Sequence, residues 1–113
     1  MAEREERPVS GHAALRAERR GKALEVVATG DLDMAAAFRL ENELDALLAE
    51  NDPEALVLDL GQVTFVDSAG IGALLSVREQ AIRRGVELKI ARVSSPVRRV
   101  LDLAGVGDLI NGG

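Results

Sequence analysis

Strand-like and helix-like hydrophobic patterns alternate along this sequence, and their order limits the chain to few folds. Apolar residues at every second position, or in short runs, predict strands over about 12–19, 23–29, 56–60 and 86–90. Apolar residues at helical spacing predict helices over about 34–50, 69–84 and 95–104. Gly61-Gln62 is expected to turn the chain before a short strand-like run at 63–66. Strands and helices that alternate across short connections are typical of an α/β domain with parallel strands.

The side-chain pattern of the predicted strands indicates where the helices lie. Leucines alternate with Asp59 in one strand, and the apolar residues of 86–90 alternate with Glu87 and Lys89. Right-handed crossovers between parallel strands place consecutive helices on the same face of a sheet. We therefore expect an α/β fold with a small mixed β-sheet, in which an N-terminal antiparallel hairpin precedes parallel strands and the helices lie mainly on one face. Residues 1–11 are expected to be a disordered tail and residues 12–113 one domain, with at most a very short strand after residue 105.

The residue content excludes several classes of site. The chain has no cysteine and one histidine, His12, which excludes disulfides, thiolate catalysis and metal sites built from cysteine or several histidines. A formal net charge of −5 and only two aromatic residues, Phe38 and Phe65, argue against a nucleic-acid partner. No apolar run approaches the ~20 residues that span a bilayer. We expect a cytoplasmic protein without a membrane span, a metal or a cofactor.

No pattern in the sequence predicts an enzyme. A serine nucleophile would lack a base, because His12 has no evident carboxylate partner. Asp31 and Asp33 precede the first predicted helix, and acids in such a turn more often cap a helix than form an acid–base pair. Gly70-Ile71-Gly72 follows a strand and begins a helix, but Leu75 stands where a dinucleotide fingerprint has its third glycine. Catalytic residues are therefore not predicted.

Ser68 stands where a strand gives way to the second predicted helix. Its position alone favours a simple N-cap, the role also expected of Asp33 for the first helix and of Ser95, followed by Pro96, for the third. A serine at this place is also well suited to phosphorylation. The helix N-terminus offers free N–H groups and the positive end of its dipole to an added charge of about −1.5 to −2. The residues alone leave both roles open.

Four segments together resemble the STAS domain, namely Gly30–Asp33, Leu56–Leu60, Val63–Gly72 and Ser95–Gly105. The Asp-Ser-x-Gly sequence at 67–70, preceded by the Gly-x-Leu-Asp turn at 30–33, is the specific part of this resemblance. The segments match in order and spacing from about residue 13 to residue 110. Within the family, the chain resembles the single-domain anti-sigma factor antagonists of bacteria.

The resemblance implies a partner-switching protein. Such a protein binds an anti-sigma factor that is also a serine kinase of the histidine-kinase-like ATPase type. Phosphorylation of the motif serine ends the binding, and a serine phosphatase restores it. Ser68 matches that serine, Asp67 matches the acid beside it, and Asp33 matches the acid of the neighbouring turn. Because Ala69 follows, where many relatives have serine or threonine, Ser68 is the one hydroxyl at this place.

The partner surface is accordingly expected around the starts of the first two helices, at Asp31, Asp33, Phe38, Asp67, Ser68, Ala69, Gly70 and Ile71. Phe38 lies off the apolar stripe of its helix, so it is either an exposed anchor for the partner or folds over the helix edge onto the core. An alternative function is a constitutive STAS binding module in a stressosome-type scaffold or a lipid-transport complex. In that case Ser68 would only cap a helix.

Overall fold

The computed structural model describes residues 4–105, which form five strands and three helices. In chain order these are β1 (Arg4–Ser10), β2 (Ala13–Arg20), β3 (Ala23–Leu32), α1 (Met34–Asn51), β4 (Ala55–Val66), α2 (Ser68–Arg83), β5 (Glu87–Val93) and α3 (Ser95–Leu103). The short strand predicted after residue 105 lies outside this range. Within it, none of the helices combines the length and the hydropathy needed to cross a membrane.

The strands form one sheet in the order β1-β2-β3-β4-β5. β1, β2 and β3 pair antiparallel, and β3, β4 and β5 pair parallel. The turn between β2 and β3 contains Gly21 at a φ of 59°, a conformation that glycine adopts without a steric penalty. The predicted fold class, a mixed sheet with an antiparallel hairpin before the parallel strands, is confirmed.

The core lies between the sheet and helices α1 and α2. Leu40, Leu44 and Leu47 have helical spacing on α1 and are fully buried. They join the alternate leucines of β4, Leu56 and Leu58 among them, in one apolar cluster. All fully buried side chains among residues 5–105 are apolar, so hydrophobic burial is the main source of stability here.

The expectation of a disordered tail at residues 1–11 is wrong for residues 4–10, which form β1 and pair with β2. Val9 is buried in the core, and the Arg7 guanidinium, whose side chain is 16% exposed, forms ion pairs with Glu43 at 3.1 Å and Glu50 at 2.8 Å on α1. Burial lowers the pKa of Arg7, but its hydrogen bonds to Glu50, Glu5 and Glu43 outweigh burial and raise that pKa above its ordinary value. Contacts distant in sequence therefore fix this strand.

β4 is continuous through Gly61-Gln62, where a turn was predicted. Its register against β3 shifts between Val27 and Thr29 and again between Gly30 and Asp31. At each place β4 carries one extra residue, which is a β-bulge. The glycine therefore marks a bulge within one long strand and not a turn between two strands.

Two smaller predictions about the helices are also wrong. The apolar spacing of the sequence predicts Ile82 on the buried side of α2, but Ile82 is 65% exposed because Val77 and Ala81 take the core-facing positions of that turn. The N-cap position of α3 is held by Ser94 and not by Ser95. The Ser94 hydroxyl donates to the carbonyl oxygen of Val63 at 2.6 Å and so ties α3 to β4.

Candidate partner-binding site

The carboxyl ends of β3 and β4 bring two helix starts together. Leu32 and Val66 pair across the two parallel strands, and both are buried. The next residue of β4, Asp67, donates its backbone N–H to the carbonyl oxygen of Leu32 at 3.4 Å. Because each strand passes into a helix one residue later, α1 and α2 begin side by side at the same edge of the sheet.

Both helices are capped by an aspartate in the same geometry. The Asp33 carboxylate accepts a hydrogen bond from the N–H of Ala36 at 3.0 Å, and the Asp67 carboxylate accepts one from the N–H of Gly70 at 3.0 Å. The prediction that Asp33 caps the first helix is confirmed. The hypothesis that Ser68 caps the second helix is wrong, because Asp67 holds the N-cap position.

Ser68 is the first residue of α2 and is exposed. Its hydroxyl forms no hydrogen bond with another residue of the described range. The N–H groups of Ser68 and Ala69 likewise have no acceptor in that range, since the first intrahelical bond is donated by Ile71 to the carbonyl of Asp67 at 3.0 Å. A free hydroxyl therefore stands beside unsatisfied N–H donors at the positive end of a helix dipole.

Gly70 and Ile71 lie on the side of α2 that faces the sheet and the core. A Cβ on Gly70 would lie 2.4 Å from the carbonyl oxygen of Leu32 and 2.7 Å from a methyl group of Val66, so only glycine lets α2 begin this close to the sheet. Ile71 is 6% exposed and packs in the core. Both were expected at the partner surface, but the structure leaves neither with a side chain to offer there, whereas Ala69 is half-buried.

Asp31 lies at the same edge of the sheet and is half-exposed. Its carboxylate accepts a hydrogen bond from the Thr64 hydroxyl at 2.5 Å. Its backbone N–H donates to the carbonyl oxygen of His12 at 3.0 Å. The sequence does not single out Thr64 as a partner of Asp31. Their contact depends on the second bulge of β4, which no local sequence pattern predicts.

Three large apolar side chains are exposed at or near this end of the molecule. Phe38 on α1 is 72% exposed, so the alternative that it folds onto the core is wrong. Met34, the first residue of α1, is 75% exposed, and Phe65 in β4 is 48% exposed. Met34 was missed in the sequence, although its spacing of four residues from Phe38 would have placed both on one side of the helix.

Comparison with known proteins gives a family match over most of the chain. The STAS domain model matches residues 14–112. An anti-sigma F factor antagonist of Paenibacillus polymyxa is 30% identical over 78 residues, which are 69% of this chain and 67% of that protein. The anti-sigma-F factor antagonist RsfB of Mycobacterium tuberculosis is 34% identical over 77 residues, which are 68% of this chain but only 62% of RsfB.

Solved structures show the same fold. The crystal structure of an anti-sigma factor antagonist from Mycobacterium paratuberculosis has a TM-score of 0.70 and 29% identity, and the match covers 88% of this chain and 81% of that one. Unphosphorylated SpoIIAA, an anti-sigma factor antagonist, has a TM-score of 0.67 and 18% identity, with 84% of each chain covered. Its phosphorylated form, from Bacillus, has a TM-score of 0.60 and 17% identity, with 84% and 86% covered. The chain thus belongs to the STAS domain family, and it is similar to members that are named anti-sigma factor antagonists.

Proposed function

We propose that this chain is an anti-sigma factor antagonist controlled by phosphorylation of Ser68. Unphosphorylated, it binds an anti-sigma factor that is a serine kinase of the histidine-kinase-like ATPase type. Transfer of the γ-phosphoryl group of ATP to the Ser68 hydroxyl oxygen releases ADP and a proton and ends the binding. A serine phosphatase then hydrolyses the phosphoserine and restores it.

The observation that carries this proposal is that Asp67, and not Ser68, caps α2. The Asp67 carboxylate caps α2, and the Ser68 hydroxyl is exposed and unengaged. A side chain that does not hold the helix together can be modified without unfolding it. The two forms of SpoIIAA in the solved structures support the idea that this fold accommodates phosphorylation.

Electrostatics explain how one phosphoryl group could end the binding. Asp31, Asp33 and Asp67 surround the helix starts, and a phosphoserine adds a charge of about −1.5 to −2 to that acidic surface. The free N–H groups of the first turn of α2 would stabilise it within this chain. Against an acidic group of the partner, however, like-charge juxtaposition costs several kcal/mol. Since about 1.4 kcal/mol corresponds to a tenfold change in affinity, two or three decades of affinity are within reach.

The proposal assigns the catalytic step to the partner. The chain itself supplies the phosphoacceptor Ser68 and the binding surface at Asp31, Asp33, Phe38 and the start of α2, and it acts in the cytoplasm. A constitutive scaffold or lipid-transport module is the weaker alternative. Its account of Ser68 as a helix cap fails, because Asp67 performs that role.

A phosphorylation assay tests the proposal. The purified chain is incubated with Mg-ATP and, one at a time, with the purified anti-sigma factor kinases of the organism that encodes it. Intact mass and phosphopeptide analysis should find one phosphoryl group on Ser68 with one of these kinases. Ser95 is also exposed and also begins a helix, so Ser95→Ala is the matched control. The modification should disappear in Ser68→Ala and persist in Ser95→Ala. A kinase that modifies another residue, or that binds the phosphorylated chain as tightly as the unmodified one, would contradict it.

A further inference from the structure

A groove runs between α1 and α2 on their solvent side. The two helices pack along each other, and polar contacts join them at Ser76, whose hydroxyl donates to the Glu41 carboxylate at 3.3 Å, and at Arg84, which pairs with Asp45 at 3.0 Å. Between them lies a cleft of about 80 Å³ lined by residues of both helices, including Glu41, Asp45, Ser76 and Gln80. The contacts fix which side of each helix faces the other.

Helical periodicity extends these two sides to the helix starts. On α1, Met34 and Phe38 precede Glu41 at the i, i+4, i+7 spacing of one side. On α2, Ala69 and Gly72 precede Ser76 at the corresponding spacing of 3 and 4 residues. By this spacing, the groove extends from the cleft towards the helix starts, with Met34 and Phe38 on the α1 side and Ala69 and Gly72 on the α2 side. Ser68, next to Ala69, lies at its open end.

Gly72 is unexplained by the fold of this chain. A Cβ built on it meets no atom within 4 Å, in contrast to Gly70, where a Cβ would clash with the sheet. Gly72 also lies inside a helix, where glycine is less favourable than alanine. Neither packing nor backbone conformation in the free protein requires a glycine here, and the missing side chain leaves open space on this side of α2.

The walls of the groove specify the chemistry of what fills it. Met34 and Phe38, at 75% and 72% exposure, offer apolar surface that water covers in the free protein. Farther along, the Glu41 carboxylate accepts a hydrogen bond from the Ser76 hydroxyl and has no cationic partner among residues 5–105. A matching segment carries an apolar side chain at one end and a lysine or arginine at the other.

We propose that the anti-sigma factor binds in the groove between α1 and α2. An apolar side chain of the partner packs over Gly72 against Met34 and Phe38, and a basic side chain pairs with Glu41. This inference rests on the proposed function and extends the contact away from Ser68 along both helices. Contacts in the groove provide the affinity for the anti-sigma factor, and phosphorylation of Ser68 at its open end controls whether the anti-sigma factor binds. Glu41 favours a basic side chain in the occupant, and a second copy of this chain, with its net charge of −5, is disfavoured there. The groove also leads to the proposed phosphoacceptor Ser68, so the anti-sigma factor is the occupant that can contact both.

The test uses the kinase that phosphorylates Ser68, purified and held in its ADP complex, and measures its Kd for variants of the full chain by calorimetry. Gly72→Leu adds a side chain on the groove side of α2, where a Cβ meets no atom within 4 Å, so we expect a Tm no lower than that of the wild type and a Kd at least tenfold higher. Phe38→Ala should raise the Kd to a similar extent. Ile82→Ala is the matched control, because Ile82 is also exposed on α2 but lies outside the groove, and its Kd should stay within twofold.

The outcomes separate this inference from the function on which it rests. If the kinase phosphorylates Ser68 but binds Gly72→Leu and Phe38→Ala with the Kd of the wild type, the proposal that it binds in the groove is overturned. Control by phosphorylation of Ser68 is then unaffected. If no kinase modifies Ser68, both are overturned. If Ile82→Ala weakens binding as much as Phe38→Ala does, the partner contacts α2 on another side and the groove assignment is overturned as well.

Discussion

Ser68 occupies in α2 the place that Met34 occupies in α1, because each is the first residue of its helix and directly follows a capping aspartate. Both side chains are exposed at the same edge of the sheet. One helix start thus presents a hydroxyl and the other a thioether. Two similar strand–helix units placed side by side give the protein one surface with a polar half and an apolar half.

The caps predict opposite results for neighbouring substitutions. Asp67→Ala removes the acceptor of the Gly70 N–H and should lower the free energy of unfolding by about 0.5–2 kcal/mol. Ser68→Ala should change it by less than about 0.5 kcal/mol, since no described residue bonds the hydroxyl. Urea unfolding of both variants measures the difference. A Ser68→Ala loss as large as that of Asp67→Ala would assign the cap to the serine.

Ser68→Asp should weaken binding to the anti-sigma factor at least tenfold. The carboxylate places negative charge where the phosphoryl group would stand, and a helix N-terminus tolerates an acid well. The Tm should therefore stay near that of the wild type, which separates loss of binding from loss of fold. Calorimetric titration with thermal unfolding measures both quantities. An unchanged Kd would contradict control by charge at Ser68.

Three glycines should respond differently to alanine. In Gly30→Ala the new Cβ would lie 1.7 Å from the His12 carbonyl oxygen at a φ of 89°, and we expect a loss of more than about 2 kcal/mol. Gly70→Ala should also destabilise the fold, because its Cβ would lie 2.4 Å from the Leu32 carbonyl oxygen. Gly72→Ala should stabilise it by up to about 1 kcal/mol, the difference in helix propensity. Denaturant midpoints of the three variants check this order.

The N-terminal strand should depend on one arginine. Arg7→Met keeps the aliphatic stem but removes the ion pairs with Glu43 and Glu50. We expect a loss of about 0.5–1 kcal/mol in the free energy of unfolding, smaller at high salt, and amide hydrogen exchange in β1 that is faster than in the wild type, with a smaller change in β3. Arg20→Met is the control, because Arg20 is 61% exposed in its pairs with Glu18 and Glu25. Equal exchange rates in wild type and Arg7→Met would show that β1 is held without those pairs.

The sequence was sufficient for the elements whose side chains follow a local period. The buried stripe of α1 through Leu40, Leu44 and Leu47 and the alternating leucines of β4 are such cases, and the structure places them as predicted. β1 was not predicted because Val9 alone among its described side chains is buried and gives no alternating pattern. The ion-pair partners of Arg7 lie on α1, which is distant in sequence. Local periodicity carries no information about contacts of that kind.

At the candidate site, sequence motifs located the right residues but not all their roles. Asp67 and Ser68 are both good capping residues, and only the backbone geometry decides that the aspartate accepts the bond from Gly70. Thr64 reaches Asp31 because a bulge inserts an extra residue into β4. The groove depends on the relative placement of two helices, which the spacing within each helix does not contain.

Strand β1 also limits how copies of this protein can meet. It is one of the two outer strands of the sheet, the other being β5, and an outer strand can recruit a neighbour's backbone and begin aggregation. Here it carries exposed Glu5 and Glu6, and Pro8 contributes no N–H to further pairing. Its pairing with β2 is irregular between Pro8 and Ser10. We therefore expect the β1 edge of the purified chain to resist pairing with the sheet edge of another copy.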